Sequence, residues 1–251
     1  MFSRIRNVAN RGLTYPSAPD DVVLYGIGDI HGRSDCLARV QALIDHDIAQ
    51  RGGGERVVEI YLGDYIDRGP DSRGVIDLLL QRITTRTVVL LRGNHEIVME
   101  SFLRGLTPFE HWRAIGGLET VLSYGVDARA LFAAHGAVRP RDLAERLPAA
   151  HIRFFSILES VHLRGPYCFV HAGIRPGVPI ESQSIEDLAW IRDDFLSFAG
   201  DFGRIVIHGH TPVAEIDFLM NRVNIDTGAY ATNHLSVICI DGTGLRALTM
   251  A

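Results

Sequence analysis

No apolar run in this chain approaches the ~18 residues that a membrane-spanning helix requires, so no transmembrane segment and no membrane partner are expected. Cysteine is scarce: Cys36, Cys168 and Cys239 are odd in number, far apart and never in CxxC spacing. That pattern speaks against a disulfide framework and fits buried thiols in a reducing compartment. Neither sign of charge dominates, with 25 Lys and Arg against 30 Asp and Glu. A net charge of −5 offers no global attraction to nucleic acid or to an anionic surface. The first residues, MFSRIRNVANRG, are basic, but no apolar core follows to make a secretory signal. Cytoplasmic residence is therefore expected. Internal repeats, low-complexity tracts and linker-like runs are missing too, as are the GxGxxG and P-loop patterns that hold nucleotides.

What is present is enough chain for a sizeable core, at 251 residues and 47% hydrophobic, in one large domain or two small ones. Residues 1–20 read as a loose N-terminal arm closed by Pro16 and Pro19. VVLYGIGDIHG at 22–32 predicts a buried strand running into a glycine turn. Apolar residues at 37, 40, 43, 44 and 48 have helical spacing. RVVEIYLGDYIDRG and TVVLLRGNHE are two more strand-and-turn units, separated by a helix over 72–82. Strand–turn–helix units in this order predict an α/β fold with parallel strands. From 97 to 163 the pattern is mainly helical, without a strong strand, and then four β-like runs follow: YCFVHAG, RIVIHGH, NRVNIDTGA and LSVICIDGTGLRALTM. DGTG in the last is a hairpin turn. The reading is one domain over 1–251 with a helical insertion at 97–163.

Five of these runs end alike, in glycine plus residues that bind metal or phosphate: GDIHG, GDYIDRG, RGNHE, HAG and HGH. In open α/β sheets ligands bind outside the carboxyl ends of strands, so the five tips are expected to converge. Asp29 and His31, two apart, point to one side of an extended segment. Asp64 and Asn94 follow the second and third strands, and His171 and His210 end two later ones. An oxygen- and nitrogen-rich set of this kind suits manganese, iron or zinc. Six donors exceed what one ion takes with room for water, but with one carboxylate bridging they suit two. Two ions about 3.5–4 Å apart polarise a phosphoryl oxygen and generate a hydroxide for in-line attack. One such strand end alone is ordinary turn chemistry; five in order are not.

GDIHG at 28–32, GDYIDRGPDS at 63–72, LRGNHE at 91–96, HAG at 171–173 and HGHTP at 208–212 together resemble the PPP-type phosphoprotein phosphatases. The resemblance is to the bacterial and phage serine/threonine branch, within the calcineurin-like metallophosphoesterases. It extends to WIRDDF at 190–195 and NIDTGAY at 224–230. It implies a central β-sandwich of mixed sheets flanked by helices, with a dinuclear site at the C-terminal ends of strands. Asp29 and His31 would hold the first ion, Asp64 would bridge, and Asn94, His171 and His210 would complete the second. Manganese is the expected metal, with iron or zinc as alternatives. His95 would be the general acid that protonates the leaving oxygen, held by Asp67. An alkoxide departs badly from a phosphate monoester, so a positioned acid contributes about 10²–10⁴-fold.

Arg68 and Arg92 adjoin these residues, and guanidinium forks match phosphate oxygens; Arg192 in WIRDDF corresponds to a third phosphate-binding arginine of the family. His208 reads either as a support for the ligands or as a satisfied histidine at the core edge. Tyr230 is a candidate substrate contact in a family-like loop that also holds Asp226. Glu96 reads as an anchor for the following helix, and Trp112 and Phe102 as helix core rather than cleft. The expected activity is hydrolysis of phosphoserine and phosphothreonine in proteins by direct attack of a metal-bridging hydroxide. Two alternatives stand beside it: a hydrolase of diadenosine tetraphosphate or related nucleotides, and a phosphoprotein-binding module without turnover. GDYIDRGPDS and GNHE favour the protein phosphatase. The complete ligand set disfavours the inert module.

Overall fold

The computed structural model of the chain describes residues 5–8, 12–19, 21–51, 53–127 and 138–250. Two mixed sheets stack face to face. The first has the order β1-β11-β10-β2-β3-β4, formed by Ile5–Val8, Gly244–Met250, Val237–Asp241, Val22–Ile27, Arg56–Tyr61 and Thr87–Leu90. The second has the order β5-β6-β7-β9-β8, formed by Val161–Arg164, Tyr167–Val170, Ile205–His208, Arg222–Asn224 and Asp217–Phe218. Strands β2, β3 and β4 run parallel, as do β6, β7 and β9.

Strand β2 shows why the runs are apolar throughout. Side chains alternate between faces, and here both faces are covered. Val23, Tyr25 and Ile27 pack with the helices α1 (Ser34–Gln50) and α2 (Ser72–Ile83). Leu24 packs in the other direction, with Ile60, Ile238, Tyr167, Phe169, Ile207 and Val223 between the sheets. A third cluster puts Leu188, Ile191 and Phe195 against Cys168, Val170 and Val206 on the outer face of the second sheet. The layers are therefore helix, sheet, sheet, helix. Each fully buried Leu, Ile or Phe contributes about 1.5–3 kcal/mol.

The helix expected from its apolar spacing buries Cys36, Leu37, Val40, Leu43 and Ile44. Helix α2 is capped by the Asp71 carboxylate, which accepts from Gly74 N–H at 2.9 Å. The DGTG turn joins β10 to β11, with Asp241 paired to Gly244. All three cysteines are free and buried. No helix among the described residues is long and apolar enough to cross a membrane.

Two expectations need correction. The arm over 1–20 is not loose where it is described: β1 pairs antiparallel with β11, and Tyr15 and Ala18 are buried. Tyr15 Oη donates to the Leu219 carbonyl at 2.9 Å, and Ala18 N–H to that of Asp241 at 2.9 Å. A four-residue edge strand with charged and amide residues carries no alternating signature of its own. The segment 97–163 is helical in α3 (Asn94–Leu103), α4 (Phe109–Ala114), α5 (Gly117–Ser123), Pro140–Ala144 and Ala149–Ser156. However, α3 begins three residues earlier, and the edge strand β5 falls at its far end. Residues 128–137 of that segment lie outside the described residues.

Candidate active site

The parallel strands of both sheets deliver their C-terminal ends to one place. His171, just past β6, sets its Nδ1 2.9 Å from the Leu62 carbonyl just past β3. His210, just past β7, donates its backbone N–H to Asp29 Oδ2 at 2.9 Å, just past β2. Backbone geometry marks the same spot. His31, Asp64, Asp67, Arg68 and His210 all have positive φ, between 47° and 72°. Left-handed conformations cost non-glycine residues about 1–2 kcal/mol each, and such strain concentrates at functional sites. Two glycines make room for the carboxylates. A Cβ on Gly93 would lie 2.1 Å from Asp64 Oδ1, and one on Gly209 would lie 2.0 Å from Asp29 Oδ1.

Asp64 is the hub. Its Oδ1 lies 3.4 Å from His171 Nε2, and its Oδ2 lies 3.4 Å from His31 Nε2 and 3.8 Å from His95 Nε2. Two donor groups share it: His31, Asp64 and His95, and Asp64, His171 and His210, with the donor atoms in each within 4.8 Å of one another. Burial works to raise the Asp64 carboxyl, but in acid, where the surrounding histidines become charged, they outweigh it and hold the group well below the usual carboxylate range. Asn94 Oδ1 joins the second group, 3.1 Å from His171 Nε2 and 3.0 Å from His210 Nδ1. Asp29 lies outside both groups; burial, then the charges of Asp226 and Asp64, push its carboxyl well up.

These donors fit divalent cations. Burial lowers His31 to about 3 and His210 to about 2, and it lowers His171 as well, so the rings are neutral with one N–H each. His171 Nδ1 faces the Leu62 carbonyl and so must donate to it. Its Nε2 is then a lone pair, facing two other acceptors, Asn94 Oδ1 and Asp64 Oδ1. His31 is oriented in the same way by the Ile66 carbonyl at 2.9 Å. A backbone carbonyl fixing the tautomer of a ligating histidine is the usual supporting arrangement. Asp29 Oδ1 and His210 Nε2 are buried without a hydrogen-bond partner, and a cation supplies what such atoms lack.

Beside the donors lies an acid–base pair. His95 Nδ1 is 2.7 Å from Asp67 Oδ2. Burial opposes a charge on His95, yet the carboxylates of Asp64 and Asp67 outweigh it and raise its pKa above the ordinary value. Arg68 bridges the rings, with Nη1 3.0 Å from His31 Nε2 and Nη2 3.1 Å from His95 Nε2. Its guanidinium carbon is 4.9 Å from the ring centre of Tyr230, which meets His31 edge-on at 5.4 Å. Arg192 is exposed, and its charge reaches both His210 and Asp226.

One expected site residue is placed elsewhere, and His208 sits as its core-edge reading has it. Arg92 is not free for phosphate: Nη1 pairs with Glu100 Oε2 at 2.6 Å and Nη2 donates to the Phe155 carbonyl at 2.8 Å. It fastens the start of α3 to the helix over 149–156. His208 is fully buried against Phe195, ring centres 4.8 Å apart, and belongs to neither donor group. Glu96 does more than anchor a helix. Its carboxylate accepts from Gly93 N–H at 2.9 Å, Asp64 N–H at 3.0 Å and Tyr65 N–H at 2.9 Å, so one side chain ties the β4 turn to the β3 turn. Asp226, buried and pushed up to about 6 by burial, then by Asp64, raises Asp29 in turn. Its only sequence signal is its place in NIDTGAY.

A family model for calcineurin-like phosphoesterases matches residues 23–239. The chain belongs to this family. The asymmetrical bis(5'-nucleosyl)-tetraphosphatase of Anoxybacillus flavithermus is 27% identical over 245 residues, covering 88% of each chain. Serine/threonine-protein phosphatase 1 of Salmonella typhimurium is 28% identical over 219 residues, covering 84% of this chain and 88% of its own. Among solved structures, the cold-active protein-tyrosine phosphatase of a psychrophilic Shewanella shares the fold, with a TM-score of 0.56 at 16% identity over 91% of this chain and 80% of its own.

The contacts of Arg92 give a direct prediction. Arg92→Ala is expected to lower stability by about 1–3 kcal/mol, because the charge-assisted bond to Glu100 is lost, while KM for nitrophenyl phosphate stays unchanged. Thermal unfolding and steady-state kinetics on the same preparation test this. A tenfold rise in KM at unchanged stability would return Arg92 to the phosphate site.

Proposed function

We propose that this phosphohydrolase is a PPP-branch phosphomonoesterase acting on phosphoserine and phosphothreonine in proteins. The observation that carries the reading is the His95–Asp67 pair beside the shared Asp64. A phosphoanhydride leaves as a weakly basic phosphate and gains little from an acid. A serine or threonine alkoxide is strongly basic and needs a proton as it departs. An imidazole with a raised pKa, backed by a carboxylate and facing the donor groups, suits the second kind of leaving group.

In this reading Asp29, His31, Asp64, Asn94, His171 and His210 hold two divalent cations, manganese first. Bound there, such ions polarise a phosphoryl oxygen and lower the pKa of water. The chain's own residues do the rest. Arg68, at the centre of the site, and Arg192, at its edge, grip the non-bridging oxygens and offset the charge spread over them. With Arg68 turned from His95 Nε2 to the phosphate, His95 gives its Nε2 proton to the leaving oxygen while Asp67 accepts from Nδ1 and steadies the charged ring. Tyr230, stacked near Arg68, borders the alcohol side of the ester.

The relatives named as bis(5'-nucleosyl)-tetraphosphatases favour a second reading, nucleotide hydrolysis at the same site. Protein stripped of metal and refilled with manganese decides between them, with a phosphothreonine peptide and diadenosine tetraphosphate assayed side by side. Faster metal-dependent release from the peptide is expected. Preference for the dinucleotide would overturn the protein-phosphatase reading and leave the metal donors standing.

A further inference from the structure

Asp67 can orient His95 only if its own carboxylate is held. It sits in a turn at φ 72°, and the torsion that sets a carboxylate plane is broad and roughly two-fold. Two side chains from the helical segment remove that freedom. Trp112 Nε1 donates to Asp67 Oδ2 at 2.8 Å, and Thr120 Oγ1 donates to Asp67 Oδ1 at 2.6 Å. Both residues are fully buried.

The direction of the Thr120 bond follows from proton counting. Asp67 N–H reaches Thr120 Oγ1 at 2.8 Å, and the Ser72 hydroxyl lies 2.9 Å from the same oxygen. Threonine has one hydroxyl proton, and a carboxylate oxygen can only accept. The Thr120 proton therefore goes to Asp67, and Ser72 donates to Thr120. The indole is fixed as well, packed with Phe102 at 5.2 Å and Phe109 at 6.1 Å between ring centres. The turn between the two helices grips the next residue: Arg68 N–H donates to the Gly116 carbonyl at 3.1 Å, and a Cβ on Gly116 would lie 2.7 Å from Arg68 Cγ.

We infer that Trp112 and Thr120 are positioning residues for proton transfer, a clamp built by α4 and α5 that presents Asp67 Oδ2 to His95 Nδ1. The inference rests on the phosphomonoesterase reading, since there the proton carried by His95 is spent on a leaving oxygen. It assigns the segment 109–123 to the chemistry.

The test uses Thr120→Val, which keeps shape and removes the hydroxyl, Thr120→Ser, which keeps the hydroxyl, and Trp112→Phe, which keeps an aromatic ring there and removes the N–H at the cost of some packing. In the manganese-loaded enzyme, Thr120→Val and Trp112→Phe are expected to lower kcat about tenfold for an alkyl phosphate, the scale of a modest misplacement. For nitrophenyl phosphate, whose leaving group needs no proton, the loss is expected to stay below about twofold. Metal content and KM should hold, Thr120→Ser should restore the rate, and Thr120→Val should add nothing to His95→Asn. An activity-free readout runs beside this, the proton NMR signal of His95 Nδ1–H in isotope-labelled histidine, assigned by its loss in His95→Asn. It is expected to shift in Thr120→Val and Trp112→Phe and to return in Thr120→Ser. Equal losses on both esters, or an unmoved signal, would overturn the clamp. Should one variant fail to fold, the other carries both readouts. A wild-type enzyme without phosphomonoesterase activity would sink the functional reading, and the NMR signal would still decide whether Trp112 and Thr120 hold the pair.

Discussion

Asp64→Asn is expected to cost the site both of its proposed metals at once and to abolish the thermal shift expected on adding manganese. The two Asp64 oxygens face different histidines, Oδ1 toward His171 and Oδ2 toward His31 and His95. An asparagine has one acceptor oxygen and no charge, so it cannot serve both sides. Loss of a residue that merely orients a ligand already costs about 10–100-fold in metal affinity; loss of the shared anionic donor should cost more. The fold has little reason to suffer. Asparagine retains an acceptor for His95 N–H, which now reaches Asp64 Oδ1 at 3.2 Å, and the Glu96 bonds to the 64–65 backbone do not involve the side chain. Elemental analysis after gel filtration should find about two ions per wild-type chain and fewer than one in the variant. A ligand that binds only the folded state raises the melting temperature by mass action, so the manganese-dependent shift should vanish with the metal. Two ions retained per variant chain would refute the bridge.

The candidate site was legible to the extent that strand ends and candidate donor positions coincide. Asp29, His31, Asp64, Asn94, His171 and His210 each follow an apolar run, and parallel strands bring such ends together wherever the sheets stack. Other features depend on partners remote in sequence. Asp67 is fixed by Trp112 and Thr120, and nothing local to the GDYIDRG stretch announces a tryptophan 45 positions or a threonine 53 positions further on. Arg92 misled for the opposite reason. It adjoins Gly93 and Asn94 in sequence, but its guanidinium turns to Glu100, eight positions along, and so away from the donors. The left-handed backbone at His31, Asp64, Asp67, Arg68 and His210 runs against the intrinsic preference of those residues, so propensity could not have predicted it. The strands β1, β5 and β8, IRNV, VHLR and DF, carry polar or charged residues in place of an apolar run. Their pairing with better-marked neighbours defines them.

His95→Asn is expected to keep its metal and lose its rate, selectively. The structure sets two roles in competition here, because His95 Nε2 belongs to a donor group with His31 and Asp64. The roles exclude one another: a lone pair committed to a cation cannot also carry the proton. The environments of the four histidines argue for the acid. Burial dominates at His31, His171 and His210 and lowers all three, which leaves neutral rings with lone pairs to give. His95 is as deeply buried, yet Asp64 and the Asp67 contact at 2.7 Å reverse the sign and raise it. Neighbouring groups whose pKa values are pushed apart mark separate roles. The acid role predicts that His95→Asn lowers kcat by about 10²–10⁴-fold for alkyl phosphates, and far less for nitrophenyl phosphate, with metal content unchanged. A ligand role predicts lost metal and an equal loss on both esters. That second outcome would move His95 into the first donor group and leave the alkoxide without its acid. The proposed preference for phosphoserine and phosphothreonine over a phosphoanhydride would then lose its physical basis, and nucleotide hydrolysis would become the better reading of the same donor groups.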